Sequence, residues 1–351
     1  MHARVAALQD WEGETKKERL LGEGKYGKVY STRNCVVKET QTKHEHLRRQ
    51  ALREHAIGVL QSLLVLQGST PHLPLHYGTC LGRRDACLAG RLFMERFDGA
   101  LSDLGYVLST EAHWMAIAFQ LLFTVAALAE SLGISHNDAY PRNVLVTRMA
   151  EPYRATYELG GRGFQLKWSF AVALTDFGIA SSNRLMGPRK MPEVSDSLKL
   201  QPTTSSFGLE RPDRHILKQK DLPVFSRDSY TILKWIFFKT KNLPEPPSAV
   251  RAWAKASLQL LDECRSELHS ATGLTAFVQK VFERRWLKRC QLAALARRDS
   301  SPADFVAPLP AKAQEKLLRD AAQVLVNIPS AFRESESSSD SLENGTVATG
   351  A

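Results

Sequence analysis

No two of the five cysteines (Cys35, Cys80, Cys87, Cys264, Cys290) stand as a C-x-x-C pair or at zinc-binding spacing. Neither a disulfide framework nor a cysteine zinc site is implied, and thiols in a reducing compartment are expected. A membrane helix needs about 20 apolar residues. The most apolar run, Trp114 to Ala129, is shorter and is interrupted by Gln120 and Thr124, so it reads as a buried helix. The first residues, Met1 to Glu12, have no apolar centre followed by a cleavage site, so no secretory signal is expected. No block of like charge dominates. The net charge is +10. From Ala331 to Ala351 a single Arg333 meets Glu334, Glu336, Asp340 and Glu343, a net of −3 that leaves +13 on the rest. A basic body attracts anions such as a nucleotide or acidic substrate, and nucleic acid is an admissible but unfavoured partner, because the charge is spread rather than clustered.

What is present fits a globular protein. Hydrophobic residues make up 43% and charged residues 24% of 351 positions, enough for two sizeable cores. The chemistry concentrates in His136-Asn137-Asp138-Ala139-Tyr140-Pro141-Arg142-Asn143 and Leu174-Thr175-Asp176-Phe177-Gly178. If the chain folds back between these stretches, a proton acceptor (Asp138) and two metal-binding oxygens (Asn143, Asp176) meet in one cleft. The plainer readings are an Asp138 that caps a turn before Pro141, a turn amide at Asn143, and an Asp176 that opens a turn with Gly178.

Upstream, glycines 22, 24 and 27 in Leu20-Leu21-Gly22-Glu23-Gly24-Lys25-Tyr26-Gly27-Lys28-Val29-Tyr30 allow close backbone approach to a polyphosphate. A dinucleotide-binding turn would open a helix here. Instead Val29–Thr32 and Cys35–Lys38, joined at Arg33-Asn34, predict two strands. Leu47, Ala51, Leu52, Ala56, Leu60 and Leu63 recur at helical spacing within 43–66 and predict one or two amphipathic helices carrying Glu54. Glu45 lies too few residues after Lys38 to complete a strand and enter a helix. Strands are expected at His72–Cys80 and Ala89–Glu95, helices at Leu101–Leu108 and Ala112–Leu132, and a short strand at Val144–Val146. Extended segments at Tyr153–Leu159 and Phe164–Ala171 flank a turn at Gly160-Gly161-Arg162-Gly163. Helices are further expected at Arg227–Ile236, Ala249–Leu268, Leu274–Ala296 and Ala311–Leu325. His44, His46, His72 and His76 lack a completing carboxylate or cysteine and read as packing or surface histidines.

These motifs, in this order, resemble those of the eukaryotic-type protein kinase superfamily: the G-x-G-x-x-G-x-V loop, the strand lysine, H-R-D-x-x-x-x-N and D-F-G. The resemblance implies an α+β, two-lobed kinase-like fold, with residues 1–18 as a lead-in, 19–95 as a small β-rich N-lobe and 96–330 as a larger α-rich C-lobe. The C-lobe would carry a long hairpin at 147–172 and an atypical segment at 181–220. Residues 331–351, rich in Ser and acids, are expected to be disordered. The implied cofactors are ATP and Mg2+, and the implied partners are protein substrates, acidic ones among them. No membrane is implied, and the oligomeric state stays open. The resemblance assigns Lys38, Glu54, Asp138 and Arg142 to catalysis and Asn143 and Asp176 to the metal. It assigns Leu21, Gly22, Gly24, Gly27, Val29, Val36, Lys38, Met94, Glu95, Phe97 and Leu145 to the nucleotide. Asp228 would support the catalytic loop.

The chain departs from the pattern in three ways. Asn137 replaces the usual Arg, so activation through a loop phosphate is not expected. Tyr140 stands where serine/threonine kinases carry Lys. Arg142 matches the arginine of tyrosine kinases, whereas Pro141 keeps the serine/threonine form. No A-P-E follows Asp176. The expected activity is a serine/threonine kinase. A tyrosine or dual-specificity kinase, a small-molecule kinase and a pseudokinase scaffold are the alternatives, although no catalytic group of the set is missing. A looser resemblance is to kinases encoded by large DNA viruses. The expected location is intracellular, cytoplasmic or nuclear, and host cytoplasm or virion in the viral case.

Overall fold

The structure, a computed structural model, describes residues 18–24, 27–33, 35–42, 45–84, 87–182, 222–238, 240, 242–283 and 293–295. The expected lead-in, most of the 181–220 segment, the helix at 311–325 and the Ser-rich end lie outside these residues. The fold mixes helix with antiparallel sheet. Its elements are β1 (Arg19–Gly24), β2 (Gly27–Ser31), β3 (Val36–Thr42), α1 (Glu45–Leu66), β4 (His76–Arg84), β5 (Cys87–Met94), β6 (Gly99–Ala100), α2 (Glu111–Leu132), β7 (Ile134–Ser135), β8 (Val144–Leu159), β9 (Arg162–Leu174), β10 (Ser181–Ser182), α3 (Ser226–Phe237), α4 (Ser248–Glu263), α5 (Ala271–Glu283) and β11 (Ala293–Leu295).

The first sheet runs β1-β2-β3-β5-β4, every neighbour antiparallel. Val29 pairs with Lys38 and Val36 with Met94, so the glycine-rich strands, the lysine strand and the end of β5 lie side by side. Gly24 and Gly27 close the β1–β2 turn. At Gly27, with φ +152, an added Cβ would stand 2.0 Å from the Glu39 carbonyl oxygen, so the turn lies flat on β3 only because that position has no side chain. One continuous helix, α1, crosses the sheet, where the spacing allowed two. Residues 72–75 are not strand. His72, Leu73 and Leu75 are nevertheless buried.

His76 is buried, its Nε2 2.7 Å from the Thr79 hydroxyl, which lies 2.6 Å from Nδ1 of His55. Burial, with a smaller push from His55, lowers the His76 pKa from 6.5 to about 3. The folded protein therefore keeps this ring neutral, while the unfolded chain takes up a proton below pH 6.5. The contribution is present above pH 6.5 and is lost at about 1.4 kcal/mol per pH unit as pH falls toward 3. Burial raises the pKa of Asp228, which opposes this trend, so the test is a difference. Between pH 6.5 and 5 the urea stability of wild type should fall by about 2 kcal/mol more than that of His76→Gln. Parallel pH profiles would contradict the assignment.

The C-terminal part is built on α2, whose residues from Trp114 to Ala129 are all buried. Thr110 caps its start by accepting from the His113 N–H, and Gly133 ends it in a left-handed conformation (φ 62). At 22 residues it is long and apolar enough to span a membrane by length and composition. Here its side chains form the core with α3, α5 and β9. The expected helix at 101–108 is only a 3-10 turn at Gly105–Val107.

The expected short strand at Val144 is in fact the start of a 16-residue strand. β8 and β9 pair from Val144↔Leu174 to Leu159↔Arg162, with a register shift between Arg148 and Tyr153, and turn at Gly160 and Gly161 (φ +54 and +73). Alternating inward residues of this hairpin (Ala155, Tyr157, Leu159; Phe164, Leu166, Trp168, Phe170) are buried, and the Tyr157 and Phe164 rings pack on Phe119 and Phe123 of α2. Period-two burial against a helix keeps so long a ribbon paired. Residues 264–268 leave α4 through a turn and a 3-10 segment, and residues 293–295 form a strand on β9 where a continued helix was expected.

Candidate active site

Three passages of chain converge. Lys38 on β3 and Glu54 on α1 meet, Nζ lying 2.7 Å from both carboxylate oxygens, with Asp176 Oδ1 at 3.2 Å. Lys38 and Glu54 side chains are each 13% exposed. Burial alone would lower the lysine pKa, but the two carboxylates outweigh it and raise it above the usual lysine range. Burial pushes the Glu54 carboxyl up against the pull of Lys38. Because both its oxygens touch the ammonium, the pair is ammonium and carboxylate. At Asp176 burial is again the largest influence and works upward, yet Lys38, His136 and the Gly178 N–H together bring the pKa below the usual range.

The loop from His136 to Asn143 is fixed from beneath. Asp228 of α3, buried, accepts the backbone N–H of His136 at 2.6 Å and of Asn137 at 2.7 Å, and the Trp235 indole donates to Ala139 O. The Asp138 N–H donates to His136 Nδ1 at 3.1 Å, so the ring proton is on Nε2 and donates to Thr175 O at 2.8 Å. The Thr175 N–H in turn donates to Asn143 O. The two motif stretches are thereby joined. Asn137 and Asp176 both have left-handed backbone (φ 66 and 68), which Asn and Asp adopt more readily than bulkier residues.

Asn143 donates from Nδ2 to Asp138 O at 2.9 Å and Oδ2 at 2.7 Å, which leaves its amide oxygen without a partner among the described residues. One amide and one carboxylate oxygen donor, on chain segments bonded to each other, form a set that fits Mg2+, a hard cation that takes oxygen ligands. Arg142 Nη2 contacts both oxygens of Asp138, at 2.6 and 2.9 Å, and its guanidinium lies 5.0 Å from the Tyr140 ring centroid. The cation expected at this point thus rests on the candidate base.

The nucleotide-side candidates spread along the first sheet and the chain after it. Leu21 and Gly22 are exposed, Gly27, Val29, Met94, Phe97 and Leu145 half-buried, and Val36 buried. Gly24 stands at the end of β1. Glu95 is buried and spends its carboxylate on the Leu75 N–H, while its own N–H donates to Leu75 O.

Sequence reading missed two contacts. Arg53, next to Glu54, donates to Gly178 O at 3.3 Å. Asn137 donates from Nδ2 to Ile179 O at 3.1 Å and to Ser181 Oγ at 2.9 Å, alongside the β7–β10 pairing of Ser135 with Ser181. The replaced arginine was a signal for the second. Nothing in the spacing marked Arg53.

No family model matches the chain. Over a 195-residue alignment, covering 51% of this chain, it is 30% identical to the dual specificity protein kinase lkh1 of Schizosaccharomyces pombe. That alignment spans 26% of the yeast protein's length, so the similarity reaches part of each chain. It points to a protein kinase relationship.

Proposed function

We propose that this chain is an ATP-dependent protein kinase with a two-lobed kinase-like fold, residues 19–95 forming the smaller lobe and 96–330 the larger, which phosphorylates serine and threonine hydroxyls of proteins. The observation that carries the reading is the Lys38–Glu54–Asp176 ion-pair cluster, linked through Thr175 and Asn143 to Asp138. Mg2+ held by Asn143 and Asp176 would neutralise charge on the phosphates. Lys38, aimed by Glu54, holds the α- and β-phosphates. Asp138 orients the substrate hydroxyl and accepts its proton as that oxygen bonds to the γ-phosphorus and the bond to the β–γ bridging oxygen breaks, releasing ADP. Leu21 and the Gly22, Gly24 and Gly27 backbone cover the phosphates. Val29, Val36, Met94 and Leu145 flank adenine, whose edge meets the Glu95 carbonyl and Phe97 amide.

Arg142 has a double role in this reading: at rest it neutralises Asp138, and in the transition state it turns its charge to the γ-phosphate. Arg142→Ala should therefore lower turnover about tenfold to a hundredfold, with ATP affinity kept within about threefold. An unchanged turnover would remove Arg142 from the mechanism. Arg142 and the dual specificity named for the yeast relative favour a second reading, acceptance of tyrosine as well. Phosphoamino-acid analysis of a mixed substrate pool decides, since predominant phosphotyrosine would overturn the serine/threonine assignment.

A further inference from the structure

Arg53 and Asn137 take no part in the proposed reaction, yet both hold the chain just after Asp176. Arg53 on α1, half-buried, donates from Nη1 to Gly178 O at 3.3 Å. Asn137 donates from Nδ2 to Ile179 O at 3.1 Å and to Ser181 Oγ at 2.9 Å. A carbonyl can only accept, so the amide nitrogen is the atom that faces Ile179. The other end of that amide, Oδ1, is buried and has no hydrogen-bond partner among the described residues. Two successive carbonyls are thus taken by donors from separate parts of the fold, one on the helix that carries Glu54 and one on the loop that carries Asp138. Asp176 needs such a hold. Its backbone is left-handed (φ 68), a conformation that a residue other than glycine keeps only where its surroundings impose it. Upstream, the Thr175 N–H is bonded to Asn143 O. Downstream, the Gly178 N–H is bonded to the Asp176 carboxylate, so the residue that Arg53 grips is itself in contact with that carboxylate. The helix α1 therefore reaches Asp176 by two routes, the ion pairs Glu54–Lys38–Asp176 and the hydrogen bonds Arg53–Gly178–Asp176.

Resting on the kinase reading, we propose that Arg53 and Asn137 are positioning residues, which keep Asp176 in its metal-binding conformation by clamping Gly178 to Ser181. They act through the backbone. With either donor gone, the chain after Asp176 is free to swing, and its carboxylate spends less time facing Lys38 and the place of the metal. Partners that orient a metal ligand from behind are worth about tenfold to a hundredfold in metal affinity. The two clamps serve the same few residues from opposite directions: Arg53 ties them to α1, and Asn137, beside the backbone pairing of Ser135 with Ser181, ties them to the loop of the candidate base.

The test uses the full chain with Arg53→Leu and Asn137→Gly. Glycine keeps the left-handed backbone of position 137 (φ 66), so that variant loses the side-chain donor alone. Urea melts establish that both variants fold. At saturating ATP the free Mg2+ needed for half-maximal phosphotransfer should rise about tenfold in each, while the KM for a serine peptide stays within about twofold. Arg53→Lys, which still offers a cationic donor to a single carbonyl, should recover most of the wild-type Mg2+ requirement. A second measurement needs neither nucleotide nor metal. Amide hydrogen exchange at 177–182 should quicken at least about tenfold in both variants and stay as in wild type along β8 and β9. A wild-type Mg2+ requirement in either variant, or exchange that quickens throughout β8 and β9 as well, would overturn the proposal and leave the kinase reading standing. If wild type transfers no phosphate, the kinase reading fails and the exchange judges the clamp by itself. Faster exchange confined to 177–182 would then uphold it, and unchanged exchange would overturn it.

Discussion

Lys38→Met should lower phosphotransfer at least about a hundredfold, because in the proposed reaction Lys38 holds the phosphates, and Glu54 grips that side chain with both oxygens. The substitution also leaves two carboxylates facing each other without their cation. At 13% exposure for Glu54 and 35% for Asp176, the cost in stability is well short of a fully buried pair, about 1 to 3 kcal/mol. Loss of activity could then be mistaken for loss of fold. The double variant Lys38→Met/Glu54→Gln separates the two: removing the orphaned charge should recover part of the stability and none of the activity. Turnover within threefold of wild type in either variant would contradict the role of Lys38.

A second large effect is expected at a residue that touches no substrate. Asp228→Asn replaces a carboxylate that accepts two backbone N–H groups with an amide that can accept from only one. The other N–H, of His136 or Asn137, would face the new NH2 as donor against donor. Stability should fall by about 2 to 3 kcal/mol, and turnover by about a hundredfold, since a shift near 1 Å in Asp138 spoils the approach of the hydroxyl. Circular dichroism and urea melts establish that the variant folds. Trp235→Phe, which removes only the bond to Ala139 O, should produce the same effects on a smaller scale. Activity equal to wild type in folded Asp228→Asn would show that the loop holds itself in place.

Much of this arrangement was legible in the sequence because short-range chemistry fixes it. Strand pairing follows from β-branched residues on either side of a tight turn, whereas Glu54 was singled out by the resemblance, its rival Glu45 being set aside because it follows Lys38 too closely. Asp228 was legible through the resemblance, which places a loop-supporting Asp near the start of this apolar helix. What was not legible depends on partners distant in the chain. The hairpin strands run unbroken from Val144 to Leu174 because α2 offers them a buried face, and an irregular pairing between Arg148 and Tyr153 joins the two strands expected separately at Val144–Val146 and Tyr153–Leu159. The helix foreseen at 101–108 gives way to a turn whose Gly105 packs against Asn242 O and Leu243. Residues 293–295 were read as helix by periodicity, and become strand by adding to the edge of β9. Arg142 was identified by the resemblance, but its contact with Asp138 needs the 3-10 turn at Pro141–Asn143, which the motif does not reveal.

The central claim is that Asp138, Asn143, Asp176, Lys38 and Glu54 form one phosphoryl-transfer site. It is tested most directly by following label from γ-labelled ATP, with Mg2+, into a mixed protein pool by wild type and by Asp138→Asn. The account predicts label on serine and threonine with wild type, and at least about a hundredfold less with Asp138→Asn, whose ATP affinity is unchanged. No incorporation by wild type that still binds ATP, or equal incorporation by both proteins, would contradict it.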